Sequence, residues 1–450
     1  MRTLDQCVRD LAAGTPSRSL VEDCLARIQD GAGEGRRVFL KVHADQARLT
    51  ADFIDATRRH GAAVSRFAGI PISVKDLFDV AGDVTTAGSR ALRDATPAAS
   101  DAPAIARLRA AGLIPIGRTN MTEFAFSGLG INPHYDTPHN PFDRLTGRIP
   151  GGSSSGAAVS VTDGMAAGAL GTDTGGSCRI PAALCGIVGY KPTARRIPTA
   201  GVLPLSFTLD SVGPLAATVA CCAALDAIMA GDEPADIKPV DLDGLRLAVP
   251  QTLVLDDLDA TVSRHYAAAL AALGKAGARI TDIALSDLGE IAVLNRRGGI
   301  ATAEAYAWHR ALINEKGAVY DPRVLARIMG GRDQDAAHYI DIVRARADLI
   351  RRVAAISARY DALIMPTVPI VAPPLAPLVA HDEAYRAINL LVLRNTSVAN
   401  VLDRCAISIP CHRRGEAPVG LTLVGEHGAD KTLFAIAAAV ERVVSPVVNA

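Results

Sequence analysis

Two Gly-Gly-Ser units and one lysine are the residues of this chain whose types and spacing could do chemistry. The units end in Ser153 and Ser177, 24 residues apart, within GGSSSGAAVSVTDGMAAGALGTDTGGSCRIP at 151–181. Glycine adds no side chain and tolerates unusual backbone angles, so backbone N–H groups and a hydroxyl can approach a substrate closely. Upstream, Lys75 closes the apolar run of GIPISVKDLFDVAG. A serine hydroxyl is a poor nucleophile at neutral pH and needs a base within hydrogen-bond reach. None of the ten histidines lies between Arg148 and Pro181, and His134 and His139 read as surface loop residues. A lysine can be the base if burial lowers its pKa toward working pH. Two serines and a lysine therefore suffice for acyl transfer without histidine. Taken singly, each feature also has a plainer account: glycine-rich turns, and a strand-end lysine reaching solvent or pairing with Asp76. A phosphate-cradling loop is the functional rival. It fails, because a Walker loop needs Lys-Ser/Thr after its last glycine and Ser177 is followed by Cys178-Arg179. The dinucleotide pattern GxGxxG is absent from this stretch as well.

The elements that must hold these groups follow from apolar periodicity. Between 67 and 119 a strand (GIPISVKD), a loop, a helix (APAIARLRAAG) and a strand (LIPIGRT) alternate, which predicts α/β architecture around a buried sheet. Residues 15–60 read as helical, with Thr15 as cap and Pro16 in the first turn, interrupted by a short strand at 38–42. A long polar connection occupies 120–150, and connections of that length are more often functional than accidental. The stretch between the two serines is long enough for one helix and one strand. The Ala-rich run 211–225 reads as a buried helix. Residues 241–360 are largely helical after one strand, LRLAVP. Strands return at 362–370, 406–411 and 419–425, before a terminal helix from Lys431.

The pieces GIPISVKDLFDVAG, GRTNMTEFAFSG, PGGSSSGAAVSV, LGTDTGGSCRIPAALCGIVGYKPT and ANVLDRCAISIP, in this order, resemble the amidase signature family. The resemblance runs from about residue 69 to 192, and more loosely to 425. It implies an α/β fold: a single large α/β/α domain with a central mixed, twisted β-sheet covered by helices, and a helical insertion. One domain would span 1–450, with N-terminal helices at 1–60, the signature core at 67–215, the insertion at 250–360, and C-terminal strands and a helix at 361–450. Carried over residue by residue, the resemblance implies Ser177 as nucleophile, Ser153 as a bridging serine after a cis peptide bond, and Lys75 as base. Backbone N–H groups of Thr174, Gly175, Gly176 and Ser177 would form the oxyanion hole. Ser154, Asp173 and Arg179 would support the site: the last two as an ion pair bracing the loop or as substrate contacts, and Ser154 by hydrogen-bonding within the site or by satisfying backbone. Ala125, Phe126 and Ser127 align with a segment lining the substrate cleft, with Phe126 as a plain core residue the alternative. The chain reads GGSSSG where many relatives read GGSSGG, which places Ser155 at a frequent glycine and leaves the triad positions intact.

Composition narrows the function further. The 47 basic and 47 acidic residues cancel, and the single tryptophan, Trp308, offers no stacking platform, so nucleic acid is not an expected partner. No charge-free run reaches the roughly 18–20 residues of a membrane span. The charged N-terminus argues against export, and eight scattered cysteines without a CxxC pair fit reduced thiols, so the expected location is the cytoplasm. No cofactor or metal is expected. The partner is a small-molecule amide or carbamate, and the sequence is compatible with a homodimer. The expected activity is hydrolysis of a C–N bond in an amide, anilide or carbamate, including aryl acylamidase or urethanase chemistry. The alternatives are the glutaminase subunit of a tRNA-dependent amidotransferase, and a non-catalytic scaffold. No arginine stands obviously unpaired after the nucleophile loop, which disfavours a small carboxylate-bearing substrate. Phe126, Leu129, Ile131 and the 362–372 stretch favour an apolar or aromatic one.

Overall fold

The computed structural model describes residues 1–62 and 64–445. Its centre is one sheet of eleven strands: β1 (Phe39–Val42), β2 (Pro71–Lys75), β3 (Ile114–Thr119), β4 (Gly168–Asp173), β5 (Val188–Lys191), β6 (Ser211–Ala216), β7 (Arg246–Pro250), β8 (Arg279–Ile283), β9 (Ala362–Pro366), β10 (Ala406–Pro410) and β11 (Gly420–Val424). They lie in the order β1-β3-β2-β4-β6-β5-β10-β11-β9-β7-β8. The sheet is mixed. β2 pairs in parallel with both β3 and β4, and β7 with β8 and β9, while the remaining neighbours are antiparallel.

Every residue of β2, β4, β5, β6, β9, β10 and β11 is buried, as expected for strands covered on both faces. Side chains alternate across a strand, so Ala169 joins the core on one face and Leu170 the core on the other. The helices Ser155–Thr162 and Arg179–Cys185 contribute Ala157, Ala158 and Ala182 to the first of these. Helices Val219–Ala230 and Asp430–Val444 contribute Cys222, Leu225, Phe434 and Ala437 to the second.

Three local expectations are corrected. The helix Ser17–Gln29 is not capped by Thr15; its first N–H groups, from Ser17 and Arg18, donate to Asp55 at 2.8 and 3.0 Å. Asp55 comes from the helix Ala44–Arg59, and a carboxylate delivered across space satisfies the orphan donors as a local cap would. The run 211–225 is not one helix but β6 followed by Val219–Ala230, whose cap is Thr218. Within the helical 250–360 segment the structure adds β8, an edge strand with no buried residue and hence no apolar alternation to betray it. No helix among the described residues is long and apolar enough to cross a membrane.

Candidate active site

Lys75 is the last residue of β2, and Thr172 and Asp173 end β4, its parallel neighbour. The carboxyl ends of adjacent parallel strands are where open α/β sheets place ligand sites. There the Lys75 Nζ, fully buried, lies 2.8 Å from Ser153 Oγ and 2.8 Å from Thr172 Oγ1. Burial pushes the Lys75 ammonium down to about 8, against smaller opposing contributions from Cys178, Asp210 and Asp173. Lys75 does not reach solvent, and the pairing with Asp76 does not form: Asp76 instead accepts from Arg118 Nε at 2.6 Å. Burial alone does not set an amine against hydroxyls. Lys191 is equally buried and also pushed down to about 8, yet its Nζ donates to the carbonyls of Pro192 and Arg404, which have no proton to give.

The Gly152–Ser153 peptide bond is cis. Ser153 precedes the helix Ser155–Thr162, and Thr122 N–H donates to its carbonyl at 3.1 Å. Gly152 admits the neighbouring chain: a Cβ there would stand 2.5 Å from the Gly130 nitrogen. Ser154 ties the two serine turns together, its N–H donating to the Ser177 carbonyl at 3.3 Å and its hydroxyl to the Thr172 carbonyl at 3.4 Å. Ser177 lies on the cavity side of this assembly. Among the described residues no hydrogen bond joins Ser177 Oγ to Ser153 Oγ, and such contacts commonly tighten only when substrate binds.

Of the four expected oxyanion donors, one is already engaged. Gly176 N–H donates to Asp173 Oδ1 at 2.9 Å, because the turn folds back over that carboxylate. Gly176 has φ +134°, and a Cβ on it would meet Thr396 Oγ1 at 2.2 Å, so the turn admits only glycine there. Thr174, Gly175 and Ser177 line the cavity, and among the described residues their N–H groups have no intramolecular acceptor.

Asp173 and Arg179 form a fully buried, two-pronged pair at 2.9 and 3.0 Å. Burial alone would raise the Asp173 carboxyl, but the Arg179 charge and the hydrogen bonds from Arg179 and Asn400 outweigh it and hold the group at about 2. The same carboxylate accepts from the N–H groups of Gly176 and Cys178. Neither Asp173 nor Arg179 lines the cavity. Asp173→Ala is expected to lower unfolding free energy by about 3–5 kcal/mol, the usual cost of orphaning a buried partner, as read by chemical denaturation.

Ser177 opens onto a cavity of about 1140 Å³. Ala125, Phe126 and Ser127 form part of its wall, as expected. They follow Glu123 in a tight turn in which Phe124 and Ala125 both have positive φ. The buried Glu123 carboxylate fixes that turn, accepting from Ser89 Oγ, His134 Nε2 and the Asp321 N–H at 2.6, 2.8 and 2.6 Å. His134 is thus half-buried and hydrogen-bonded to Glu123 rather than a free surface histidine, and His139 is half-buried near Glu34. Leu129 and Ile131 do not reach the cavity; they pack with Ile149, Leu184 and Val392. The 362–372 stretch is absent from its lining too.

The family model for amidases matches residues 19–434. This chain belongs to the amidase family. The amidase is 38% identical over 410 residues to a 2-amino-5-chloromuconic acid deaminase of Comamonas testosteroni, with 89% of this chain and 87% of that protein covered. It is 36% identical to a glutamyl-tRNA(Gln) amidotransferase subunit from Anaeromyxobacter dehalogenans (strain 2CP-C), covering 98% and 96% of the two chains. A crystal structure described as an amidase superposes with a TM-score of 0.88 at 30% identity, covering 98% of this chain and all of the other.

The charge of the cavity differs most clearly from expectation. Arg296, Arg297, Arg323, Arg327, Arg386 and Arg394 line it against only Asp333 and Asp382. Arg323 is paired with Asp382 at 2.6 Å, but among the described residues Arg327 has no carboxylate partner. Its Nη1 donates to the Phe126 carbonyl at 2.6 Å, and its guanidinium lies 4.3 Å from the Phe126 ring centroid. The expectation of no unpaired arginine at the site is therefore overturned. Arg327 comes from the helix Pro322–Met329, 201 residues from Phe126 along the chain, and carries no local motif. Thr172, Asp210, Asn389 and Asn400 are further residues of the site that sequence reasoning does not single out. Of these, Thr172, inside GTDTGGS, and Asn400, inside ANVLDRCAISIP, lie within quoted motifs, whereas Asp210 and Asn389 do not.

Proposed function

We propose that this amidase hydrolyses the C–N bond of a compact amide, anilide or carbamate through an acyl-enzyme on Ser177. The observation that carries the reading is the buried Lys75 amine, held between Ser153 Oγ and Thr172 Oγ1 beneath the serine that opens onto the cavity. In the neutral amine, Thr172 Oγ1 accepts one N–H and the lone pair is left to face Ser153. Lys75 takes the Ser153 proton while Ser153 takes that of Ser177, whose oxygen attacks the carbonyl carbon. The oxyanion forms against the N–H groups of Thr174, Gly175 and Ser177, where preorganised donors typically contribute about 2.7–4 kcal/mol each. Ser153 then returns a proton to the departing nitrogen, and water, deprotonated along the same relay, releases the acid. Aryl acylamidase and urethanase activities need only that an anilide or carbamate carbonyl reach Ser177.

The arginine excess supports a substrate that carries a carboxylate. Arg327 offers an unpaired, planar donor set beside the Phe126–Ser127 wall, suited to a carboxylate. The Comamonas testosteroni relative is named for an amino-substituted acid, which agrees. Arg327→Ala is expected to raise KM for a carboxylate-bearing amide about 10–100-fold while changing that for an uncharged amide of equal size less than about 3-fold. Equal effects on both substrates overturn the anionic assignment.

The amidotransferase reading is favoured by one observation, the 36% identity across nearly both whole chains. It requires glutamine turnover that depends on partner subunits; turnover of simple amides by the isolated chain decides against it.

A further inference from the structure

We propose that Asp210 is a positioning residue for this hydrolysis, fixing the oxyanion-binding turn through Thr174. The inference rests on the reading of Lys75, Ser153 and Ser177 as a hydrolytic triad.

Asp210 immediately precedes β6, whose Ser211 is in register with Asp173 at the end of β4. That register brings Asp210 opposite Thr174, the first residue of the nucleophile turn. Thr174 Oγ1 donates to Asp210 Oδ1 at 2.6 Å. The other carboxylate oxygen accepts from the N–H groups of Leu205 and Ser206 at 2.9 and 3.1 Å, and Asp210 N–H donates to the Ser206 carbonyl at 3.0 Å. One carboxylate thus joins two walls of the cavity: the turn carrying Thr174, Gly175 and Ser177, and the loop carrying Leu205 and Leu209. The loop is tied down from its far side, where Glu304 accepts from Ser206 Oγ, Thr208 Oγ1 and Tyr339 Oη at 2.5, 2.5 and 2.6 Å. Oxyanion donors are effective because they need no reorganisation when charge develops, so whatever holds the Thr174–Gly175 backbone bears on the rate.

Asp210→Asn keeps the size and one acceptor oxygen but removes the charge. The expected result is a kcat about 10–100-fold lower with KM changed less than about 3-fold, since the donors act on the transition state. Thr174→Val should likewise lower kcat with KM little changed, and the double variant should fall well short of the product of the two losses. Additive losses overturn the proposal, as does a wild-type kcat in Asp210→Asn. If Asp210→Asn does not unfold cooperatively, Thr174→Val and Thr174→Ser decide the matter. Loss in the first and recovery in the second uphold it, and equal activities overturn it. Ser177→Ala is run alongside: if that variant stays active, the triad reading itself fails. If it is inactive while Asp210→Asn behaves as wild type, only the role of Asp210 falls.

Discussion

Replacing Ser177 by alanine is expected to lower kcat by about 10⁴-fold or more and to abolish covalent capture by a fluorophosphonate. The size follows from the chemistry assigned to this one oxygen. Without it no acyl-enzyme forms, and the remaining donors and cavity can only assist direct attack by water. The fold should survive, because the Ser177 hydroxyl makes no hydrogen bond among the described residues and faces the cavity. An unchanged melting temperature with lost turnover is therefore the expected pair of readings. Mass spectrometry should find the fluorophosphonate adduct on the Ser177 peptide of the wild-type chain. An adduct that persists in Ser177→Ala, on Ser153 or Ser154, would move the nucleophile to the other turn.

The second large effect concerns Lys75. Lys75→Met keeps the side-chain volume and removes the amine, and kcat should fall about 10²–10⁴-fold, the range of a lost general base. Stability should hold or rise, because the variant no longer buries an ionisable nitrogen, although it leaves Ser153 Oγ and Thr172 Oγ1 one partner fewer. The wild-type pH profile has a definite sign. Below about pH 8 Lys75 is mostly an ammonium, which has no lone pair to accept the Ser153 proton. Activity in kcat/KM should rise roughly tenfold per pH unit up to about 8 and level off above it. Lys75→Met should lose that limb. A wild-type profile flat from pH 6 to 10, or a limb that persists in Lys75→Met, would remove Lys75 from the role of base.

Several of the corrections share one physical origin: contacts between distant segments. The cap of Ser17–Gln29 is a carboxylate 38 residues away, at Asp55. The unpaired cation beside Phe126 comes from 201 residues away, and the Asn400 amide that supports Asp173 from 227. Leu129 and Ile131 are apolar and near Phe126 in sequence, which by itself points to the cleft. The turn at 123–125, with two positive φ angles, directs the following chain into a separate cluster instead. β8 is silent in the sequence because an exposed edge strand shows no alternation of apolar residues.

What the sequence by itself determined is the local chemistry. Lys75 at the end of an apolar strand and the two Gly-Gly-Ser turns lie in contiguous segments, where periodicity and turn composition report burial and backbone freedom directly. The tertiary structure decided what surrounds them: Thr172 against the lysine, Asp210 against the Thr174–Ser177 turn, and the arginines that give the cavity its charge. Those contacts are made between distant segments by the register of β2, β4 and β6 and by the docking of the helices Pro322–Met329 and Asp382–Val401. Short-range patterns report which face of an element is buried, but not which distant side chain it will meet.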